Sequence, residues 1–526
     1  MAAALSRDAT VAVIGAGAMG SGIAQVAAQA GHPVRLFDTR IGAAERARDA
    51  IGQTLAGLAA KGRVDAAAAS EVTARIAAIH ALGDCVSASL VVEAIVEDLE
   101  TKRTLLRELE MIVPRTAILA SNTSSLSITA LAAGMKSPGR IVGMHFFNPV
   151  PRMQLVEVVS GLATDEAIAD AVHATAIAWG KQPVHAKSTP GFIVNRCARP
   201  FYGEALRLLA ERAADAGTLD ALMREAGGFR MGAFELMDLI GNDVNYAVTR
   251  SIWEAHFNDP RYAPSLLQQE RVTAGYLGRK SGRGFFDYGT DAAQPVADSE
   301  APRPAPQRVV LHGGPGIVAA LVERIARAGI DVDRQAPQTA FPDGAMAIGD
   351  AWLALSDGRT ATARAAATGT RNLVLFDLAL DYGSCARVAV ACADGCDSAA
   401  YAAAVGALQA AGIAVSRLDD VAALAVLRTV AMLANEAADA VTIGTASARD
   451  VDVAMRKGVN YPRGPLEWAD AIGVGRVREV IANLAAHYGE DRYRLAPLIA
   501  RRQASAGRLS AASADPGAAP PGKVAT

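Results

Sequence analysis

The stretch Thr10-Val-Ala-Val-Ile-Gly-Ala-Gly-Ala-Met-Gly-Ser-Gly-Ile-Ala-Gln-Val-Ala-Ala-Gln-Ala-Gly-His-Pro-Val-Arg-Leu-Phe-Asp38 predicts a strand, a glycine-rich turn, a helix and a second strand. Gly15, Gly17 and Gly20 form the pattern GxGxxG. Gly15 permits the turn, Gly17 lets a pyrophosphate approach the backbone, and Gly20 lets helix and strand pack closely. The phosphates would lie at the positive end of the helix. The stretch therefore predicts a dinucleotide-binding Rossmann domain.

Asp38, at the end of the second predicted strand, bears on the choice of dinucleotide. An acid at this position accepts hydrogen bonds from the adenosine ribose hydroxyls and repels a 2′-phosphate, so NAD is the predicted cofactor. Arg40 is close enough in sequence to weaken the preference against NADP. The predicted cofactor-binding residues of this region are Gly15, Gly17, Met19, Gly20 and Asp38.

A second informative stretch is Gly143-Met-His-Phe-Phe-Asn-Pro-Val-Pro-Arg-Met-Gln-Leu-Val-Glu-Val-Val159. It places His145 and Glu157 in two apolar runs separated by turn residues, so we expect the chain to reverse and the runs to face each other. A lone carboxylate among Leu and Val side chains would be costly to desolvate, which makes His145 its expected partner. A histidine backed by a carboxylate is typical of a general base working near neutral pH. The alternative is a core histidine satisfied by a structural acid.

Length, charge and cysteine content limit the remaining classes of protein. The 526 residues suggest about three or four domains. A net charge of −2 gives no overall electrostatic case for nucleic acid or an anionic membrane. No run approaches the roughly 18 apolar residues of a membrane helix, and the N-terminal residues lack an apolar signal core. Cys392 and Cys396 have no second pair to complete a metal site, so no metal and a cytoplasmic location with reduced thiols are predicted.

The order of predicted elements gives an α/β Rossmann domain, an all-α domain, a degenerate Rossmann-like domain and a second all-α domain. Further buried strands are expected at 89–96, 117–120 and 141–144 in the first half, and at 373–380 and 387–391 in the second. The predicted boundaries are 1–188 for the NAD-binding domain, 189–289 for the helical domain, 290–307 for a Pro/Ala-rich linker, 308–419 for the degenerate domain, 420–503 for the second helical domain and 504–526 for a disordered tail.

The second half resembles a weaker copy of the first. Gly232-Ala-Phe-Glu-Leu-Met-Asp238 aligns with Gly464-Pro-Leu-Glu-Trp-Ala-Asp470 at an offset of 232 residues. The same offset matches Arg196 with Arg428 and Glu204 with Glu436, but it places Asn195 on Leu427.

The nucleotide-binding features are also missing from the second half. Pro315 removes an amide from the turn after residues 309–312, and no acid follows at the position of Asp38. We therefore expect one active site per chain. We also expect the second helical domain to cover the first, as an internal pseudo-dimer.

Together these residues resemble the 3-hydroxyacyl-CoA dehydrogenase family, which catalyses the third step of β-oxidation in fatty acid metabolism. The motifs that carry the resemblance are GAGAMGSGIAQ at 15–25, VVEAIVED at 91–98, SNTSSLSITAL at 121–131, GMHFFNPVP at 143–151 and TPGFIVNR at 189–196. The resemblance implies that His145 is the catalytic base, that Glu157 orients it, and that Ser124 and Asn195 surround the substrate oxygen. Further cofactor contacts implied in this way are Glu97, Lys102, Ser124, Asn148 and Lys280, and implied CoA contacts are Thr54 and Lys61.

Three of these roles have structural alternatives of similar weight. Ser124 and Asn195 can each cap a helix instead, because both lie near an expected helix start. Lys102 can be one more solvated lysine on a helix.

The implied activity is NAD-dependent oxidation of (S)-3-hydroxyacyl-CoA to 3-oxoacyl-CoA. The long architecture is similar to the bacterial branch of the family associated with phenylacetate catabolism, which implies 3-hydroxyadipyl-CoA as substrate. 3-Hydroxybutyryl-CoA is the alternative substrate, and a non-catalytic NAD- or acyl-CoA-binding protein is the alternative class. Besides the acyl-CoA, a second copy of the chain is an open candidate partner.

Overall fold

The computed structural model describes residues 3–293, 295–341 and 344–511. They fall into two compact units. The first unit comprises residues 3–196 together with Ile443–Val459, and the second comprises the described parts of Cys197–Thr442 and of residues 460–511. Within these described ranges, no helix is both long enough and apolar enough to cross a membrane.

The first unit is built on a Rossmann-type sheet, as predicted. Its elements are β1 (Thr10–Ile14), α1 (Ala18–Gln29), β2 (Val34–Phe37), α2 (Ala43–Ala60), α3 (Ala66–Ala74), β3 (Ile76–Ala78), β4 (Ala88–Glu93), α4 (Leu99–Ile112), β5 (Ile118–Ser121), α5 (Ile128–Ala132), β6 (Ile141–Phe146), β7 (Leu155–Ser160), α6 (Glu166–Ala178), β8 (Gln182–Lys187) and α7 (Val194–Cys197). The strand order is β3-β2-β1-β4-β5-β6-β7-β8. All neighbours are parallel except β6 and β7.

The burial pattern explains which strands the sequence revealed. Every residue of β6 is buried, and β5 is likewise covered on both faces, so both appear as continuous apolar runs. Strand β8 instead alternates exposed and buried positions and contains Pro183, so it gave no clear signal. Strand β3 has only three residues.

One helix of the first unit comes from far along the chain. Helix α17 (Ala448–Gly458) packs against β7 and β8, and the preceding Thr445 carbonyl accepts a hydrogen bond from the Lys187 amide at 2.8 Å. A Cβ at Gly458 would lie 2.6 Å from Leu155, so close packing requires glycine there. The predicted helical domain 420–503 is therefore not self-contained, because it contributes residues 443–459 to the first unit.

The second unit contains the remaining helices of both helical copies. These are α8 (Arg199–Ala210), α9 (Ala216–Glu225), α10 (Ala233–Ile240), α11 (Asn242–Ala255), α12 (Leu266–Thr273), α16 (Val426–Thr442), α18 (Pro465–Ile472), α19 (Val474–Tyr488) and α20 (Pro497–Ala504). Helix α16 is buried along nearly its whole length and packs against α8, α18, α19 and α20. A helix buried on all sides is the core of its domain. The first helix of the second copy thus packs directly on the corresponding helix of the first copy.

A second sheet lies in the same unit. Its elements are β9 (Arg308–His312), α13 (Ala319–Arg327), β10 (Asp331–Gln335), β11 (Ala345–Ile348), β12 (Ala351–Leu355), α14 (Ala361–Thr368), β13 (Leu373–Phe376), β14 (Arg387–Cys392), α15 (Ser398–Ala410) and β15 (Ala414–Arg417). The order is β10-β9-β11-β12-β13-β14-β15. From β12 to β15 the pairing is parallel, antiparallel and parallel, which repeats the pattern from β5 to β8. Strand β11 is antiparallel to both neighbours, and this departs from a simple Rossmann sheet.

Parts of the predicted linker and tail form hydrogen bonds with other residues of the second unit. Amides of the linker donate hydrogen bonds to residues distant in the sequence, among them Asp298 to Thr218, Glu300 to Val415 and Arg303 to Gln409. The predicted disorder from 504 begins too early, because Leu509 is fully buried and its amide, like that of Ser510, donates to Asp470. The rest of the predicted tail, 512–526, lies outside the described residues.

Candidate active site

His145 and Glu157 face each other across the only antiparallel pairing of the first sheet's described strands. The register of β6 and β7 places the two residues directly opposite each other. His145 Nδ1 and Glu157 Oε2 are 2.6 Å apart. The histidine is 6% exposed and the glutamate is fully buried. The chain reversal expected from the turn residues is therefore present, and it creates the predicted contact.

Glu157 also caps the start of α7. Its Oε1 accepts hydrogen bonds from the amides of Ile193 at 3.0 Å and Val194 at 2.9 Å. Both carboxylate oxygens of Glu157 are therefore engaged, one with His145 and one with the backbone at the start of α7. A carboxylate accepts hydrogen bonds, so the short contact assigns a proton to His145 Nδ1, and in the neutral imidazole Nε2 then carries the lone pair. The arrangement is that of a general base with a fixed tautomer.

The predicted polar residues Ser124 and Asn195 are also brought together in the first unit. Asn195 Nδ2 donates to the Ser124 carbonyl at 3.3 Å. Helix α5 begins later in the chain, and its cap is Ser127, whose hydroxyl accepts from the Ala130 amide at 3.2 Å. The capping alternative for Ser124 is therefore wrong.

Lys102 is not a solvated helix lysine, so that alternative is wrong as well. Its side chain is 1% exposed, and Nζ lies 2.9 and 3.0 Å from the two carboxylate oxygens of Glu93. Glu97 Oε2 lies 3.3 Å from the same ammonium. Glu93 was not predicted, although an acid at the end of the apolar strand β4 is the same signal that identified Asp38. The structure thus adds a buried carboxylate to the group predicted at this strand edge.

Glu97 lies over the serine-rich loop that follows β5. Its Oε1 accepts hydrogen bonds from the Thr123 hydroxyl at 2.7 Å and from the Ser124 amide at 2.9 Å. Burial opposes its ionisation, but these hydrogen bonds and the charge of Lys102 lower the pKa of Glu97 below its usual value. Glu97 therefore presents a negative charge that holds the Ser124 backbone in place.

Two further residues that the sequence did not reveal position strand β6 and the turn after it. Asn122 Oδ1 accepts a hydrogen bond from the Phe146 amide at 2.9 Å, next to His145. Lys181 is buried, and its Nζ donates to the carbonyls of Val150 at 2.5 Å and Met153 at 2.8 Å. Lysine is among the residues least often buried in proteins, and here the two carbonyls satisfy its ammonium group.

The geometry of the glycine loop fits a dinucleotide. Gly15 has φ +105°, and a Cβ there would lie 2.5 Å from the Ala94 carbonyl oxygen. A Cβ at Gly20 would lie 1.8 Å from the Gly15 carbonyl, whereas a Cβ at Gly17 would meet open space. No side chain of the described residues caps the start of α1, which suits an anion there. A cleft of about 900 Å³ begins at Gly15 and Gly17 and continues past Asp38.

Asp38 is held at the rim of that cleft. It accepts hydrogen bonds from the amides of Ala16 at 2.8 Å and Arg40 at 2.9 Å, and from Arg40 Nε at 3.0 Å. The bond from the Arg40 side chain lowers the pKa of Asp38 to about 2, so the carboxylate is ionised at neutral pH. Arg40 itself is largely exposed.

We expect the Asp38→Ser variant to narrow the preference for NAD over NADP, because it removes the charge that repels a 2′-phosphate and leaves Arg40 free to attract one. The expected change in the ratio of kcat/KM values is about tenfold, which corresponds to about 1.4 kcal/mol. Steady-state kinetics with both cofactors measure it. Equal kcat/KM values for NAD and NADP in the unmodified protein would contradict the role of Asp38.

The remaining predicted contacts have local roles of their own. Thr54 donates to the Ala50 carbonyl of its own helix at 2.9 Å, and Lys61 is exposed just past the end of α2. Lys280 lies in the second unit, where Nζ is 2.6 Å from Asp243 Oδ1. Asn148 is exposed in the turn after β6, and Met19 lies in the first turn of α1. For these five residues, binding of cofactor or CoA stays a prediction.

The second copy lacks the histidine and glutamate pair. At the offset of 232 residues, Asp377 stands where His145 does and Ala389 stands where Glu157 does. Asp377 is fully buried, and its carboxylate accepts hydrogen bonds from the amides of Ala425, Val426 and Leu427 at 2.7–2.9 Å. It therefore caps α16 as Glu157 caps α7, but from the neighbouring strand. The copy retains the helix cap and has no imidazole beside it.

Comparison with known proteins agrees with this geometry. The model of the 3-hydroxyacyl-CoA dehydrogenase NAD-binding domain matches residues 10–189, and the model of the family's C-terminal domain matches 191–288 and 425–518. A reduced Rossmann-fold domain of 3-hydroxybutyryl-CoA dehydrogenase matches 353–421.

The chain belongs to the 3-hydroxyacyl-CoA dehydrogenase family.

Its relatives include proteins that match nearly the whole chain and proteins that match about half of it. The chain is 41% identical to the 3-hydroxyadipyl-CoA dehydrogenase of Escherichia coli K12 over 94% of this chain and 97% of that protein. It is 42% identical to a probable 3-hydroxybutyryl-CoA dehydrogenase of Bacillus subtilis over 53% of this chain and 96% of that protein. A crystal structure named 3-hydroxybutyryl-CoA dehydrogenase from E. coli K12 covers 95% of this chain and 99% of its own, with 40% identity and a TM-score of 0.86. The dehydrogenase thus has the long two-copy architecture, and it is an NAD-dependent 3-hydroxyacyl-CoA dehydrogenase.

Proposed function

We propose that the physiological reaction is the NAD-dependent oxidation of (S)-3-hydroxyadipyl-CoA to 3-oxoadipyl-CoA, as in phenylacetate catabolism. The observation that carries the proposal is the similarity to a 3-hydroxyadipyl-CoA dehydrogenase along 94% of the chain. The shorter relatives named for 3-hydroxybutyryl-CoA match only about half of the chain. Because a long structure also bears the name 3-hydroxybutyryl-CoA dehydrogenase, that substrate is the second candidate.

In the proposed mechanism His145 Nε2 accepts the proton of the substrate's 3-hydroxyl group. NAD, which the glycine loop at Gly15 and Gly17 and the carboxylate of Asp38 would hold, would supply the hydride acceptor for C3. Glu157 stabilises the imidazolium as it forms, since the carboxylate lies 2.6 Å from Nδ1. Ser124 and Asn195 hold the oxygen while its charge changes. In the reverse direction the same histidine returns the proton to the oxygen.

The proposal is tested by steady-state kinetics with 3-hydroxyadipyl-CoA, 3-hydroxyhexanoyl-CoA and 3-hydroxybutyryl-CoA. The hexanoyl ester is the matched control, because it has the same chain length without the terminal carboxylate. We expect kcat/KM to be highest for the adipyl ester, by about tenfold or more, since a buried charged contact is worth at least about 1.4 kcal/mol. A higher kcat/KM for 3-hydroxybutyryl-CoA would favour the second candidate.

We further infer that the two helical copies replace a contact between subunits. Helices α8 and α16 are corresponding elements of the two copies and pack together inside one unit. The residues that would otherwise form a contact between two subunits would then belong to one continuous chain. A cytoplasmic location and a single active site per chain belong to the same proposal.

A further inference from the structure

Glu93, Glu97 and Lys102 form a group of charged side chains at the end of strand β4, which we call the β4 charge group. Glu93 is the last residue of the strand and is fully buried, and the Lys102 side chain on α4 is 1% exposed. Lys102 Nζ lies 2.9 Å from Glu93 Oε2 and 3.3 Å from Glu97 Oε2. One ammonium group therefore lies between two carboxylates.

The other hydrogen bonds of the two glutamates come from uncharged donors. The Ser121 hydroxyl and the Ile95 amide donate to Glu93, the amide at 3.3 Å. The Ser125 hydroxyl donates to Glu97 Oε1 at 3.0 Å, beside the donors of the serine-rich loop. Among the described residues, Lys102 is the only cation that pairs with either glutamate. The formal charge of the β4 charge group is therefore −1.

The strand order places the β4 charge group on the other side of the crevice from Asp38. Asp38 follows β2, Glu93 ends β4, and β1 lies between these two strands. In a sheet of this kind a dinucleotide binds across the carboxyl ends of the strands, at the point where the strand order reverses. Because the acid after β2 serves the adenosine ribose, the nicotinamide half would lie toward β4, β5 and β6, the strand that carries His145.

Hydride transfer changes the charge of the nicotinamide half alone. The nicotinamide ring is positively charged in NAD and neutral in NADH, whereas the adenosine and diphosphate parts are the same in both. Charges in a protein interior interact more strongly than charges in water. A nearby group with a net negative charge therefore lowers the free energy of bound NAD more than that of bound NADH.

We propose that the β4 charge group makes the enzyme bind NAD in preference to NADH, and that Glu93 is the residue that gives the group its negative charge. Without Glu93, the charges of Lys102 and Glu97 would cancel. Lys102 makes the two neighbouring carboxylates tolerable, because a buried charge without a partner is costly. Weaker relative binding of NADH eases its release in the oxidative direction. The role needs only a nicotinamide cofactor and is the same for any acyl-CoA substrate.

The test compares the Kd values of the full chain for NAD and for NADH, measured by calorimetric titration without substrate. Glu93→Gln removes one charge and keeps the shape of the side chain, whereas Glu93→Asp keeps the charge. Glu97→Gln removes the charge of the other carboxylate, at a side chain that is 37% exposed. Asp38→Asn is the matched control, because it removes a carboxylate from the adenosine side of the same crevice.

We expect the ratio of the Kd for NAD to the Kd for NADH to rise about threefold or more in Glu93→Gln and in Glu97→Gln. In Glu93→Asp the ratio should stay near that of the unmodified protein. In Asp38→Asn both affinities should fall and the ratio should stay the same, since the adenosine half does not change on reduction. A purely structural role of Glu93 would weaken both cofactors equally and leave the ratio unchanged.

Several results would overturn the proposal. A folded Glu93→Gln protein whose ratio is unchanged or lowered shows that the β4 charge group does not favour NAD. If circular dichroism shows that Glu93→Gln is unfolded, the ratio in Glu97→Gln decides in the same way. An equal rise in Glu93→Asp assigns the effect to the length of the side chain, and an equal rise in Asp38→Asn shows that it is not specific to the nicotinamide half. Either rise refutes the proposed role.

Discussion

Replacement of His145 by glutamine is expected to lower the rate of hydride transfer by about 10²–10⁴-fold while NADH still binds. Glutamine can fill the space opposite Glu157 and can donate a hydrogen bond to it, but it cannot accept the hydroxyl proton. The glycine loop, Asp38 and the cleft between them do not involve His145. Stopped-flow absorbance of NADH gives the rate, and fluorescence titration gives the affinity for NADH.

His185→Gln is the control for this substitution. His185 lies on β8 of the same sheet and is 43% exposed, and its ring stacks on His173 at 4.4 Å. We expect this variant to keep the rate of the unmodified enzyme. A folded His145→Gln enzyme with an unreduced rate would mean that another group takes the proton.

The second large effect is expected where helix α16 of the second helical copy packs on helix α8 of the first. Arg428 is completely buried, with Nε 2.7 Å from Glu204 and Nη1 3.0 Å from Glu211. Its two terminal nitrogens also donate to the hydroxyls of Tyr488 and Tyr493, at 2.8 and 2.9 Å. Arg428→Met should lower the free energy of unfolding of the second unit by about 3–5 kcal/mol, because it leaves Glu204 buried without its cation. Urea denaturation followed by circular dichroism measures the change.

Two further variants establish the cause of that loss. Arg250→Met removes an exposed arginine whose partner Glu254 is also exposed, so we expect a change of less than about 0.5 kcal/mol. Adding Glu204→Met to Arg428→Met removes the buried carboxylate and should restore part of the stability. A double variant that is less stable than Arg428→Met would show that packing, and not the unpaired charge, dominates.

The features that could be predicted from the sequence are those made by neighbouring residues. The GxGxxG turn followed by Asp38 specifies one local structure, and the β6–β7 reversal needs only its turn and two apolar runs. The pairing of His145 with Glu157 followed because a carboxylate among valines requires a nearby partner. Asn195 and Ser124 are 71 residues apart, and only the family resemblance placed them in one site.

Other features depend on contacts that no local pattern encodes. Lys102 has the sequence surroundings of a surface lysine, and its burial is explained only by the ion pair that it forms with Glu93. Helix α17 has the apolar face of any helix that packs on a core, and nothing in its composition says which core. The alignment of the two copies predicts a single active site. It does not reveal the capping role of Asp377, because Asp377 stands in place of a histidine and not of another acid.

In the first copy the carboxylate that caps the helix comes from Glu157 on β7, whereas in the second copy it comes from Asp377, directly after β13. This difference limits how the second copy could become catalytic by single substitutions. Helix α7 needs Glu157 whether or not the chain catalyses anything, so this glutamate serves two purposes at once. Turning the second copy into a working copy would require Asp377→His together with Ala389→Glu. Asp377→His alone strips α16 of its cap, and Ala389→Glu alone buries two acids side by side. We expect each single substitution to destabilise the second unit, so neither substitution alone is an easy step from one arrangement to the other.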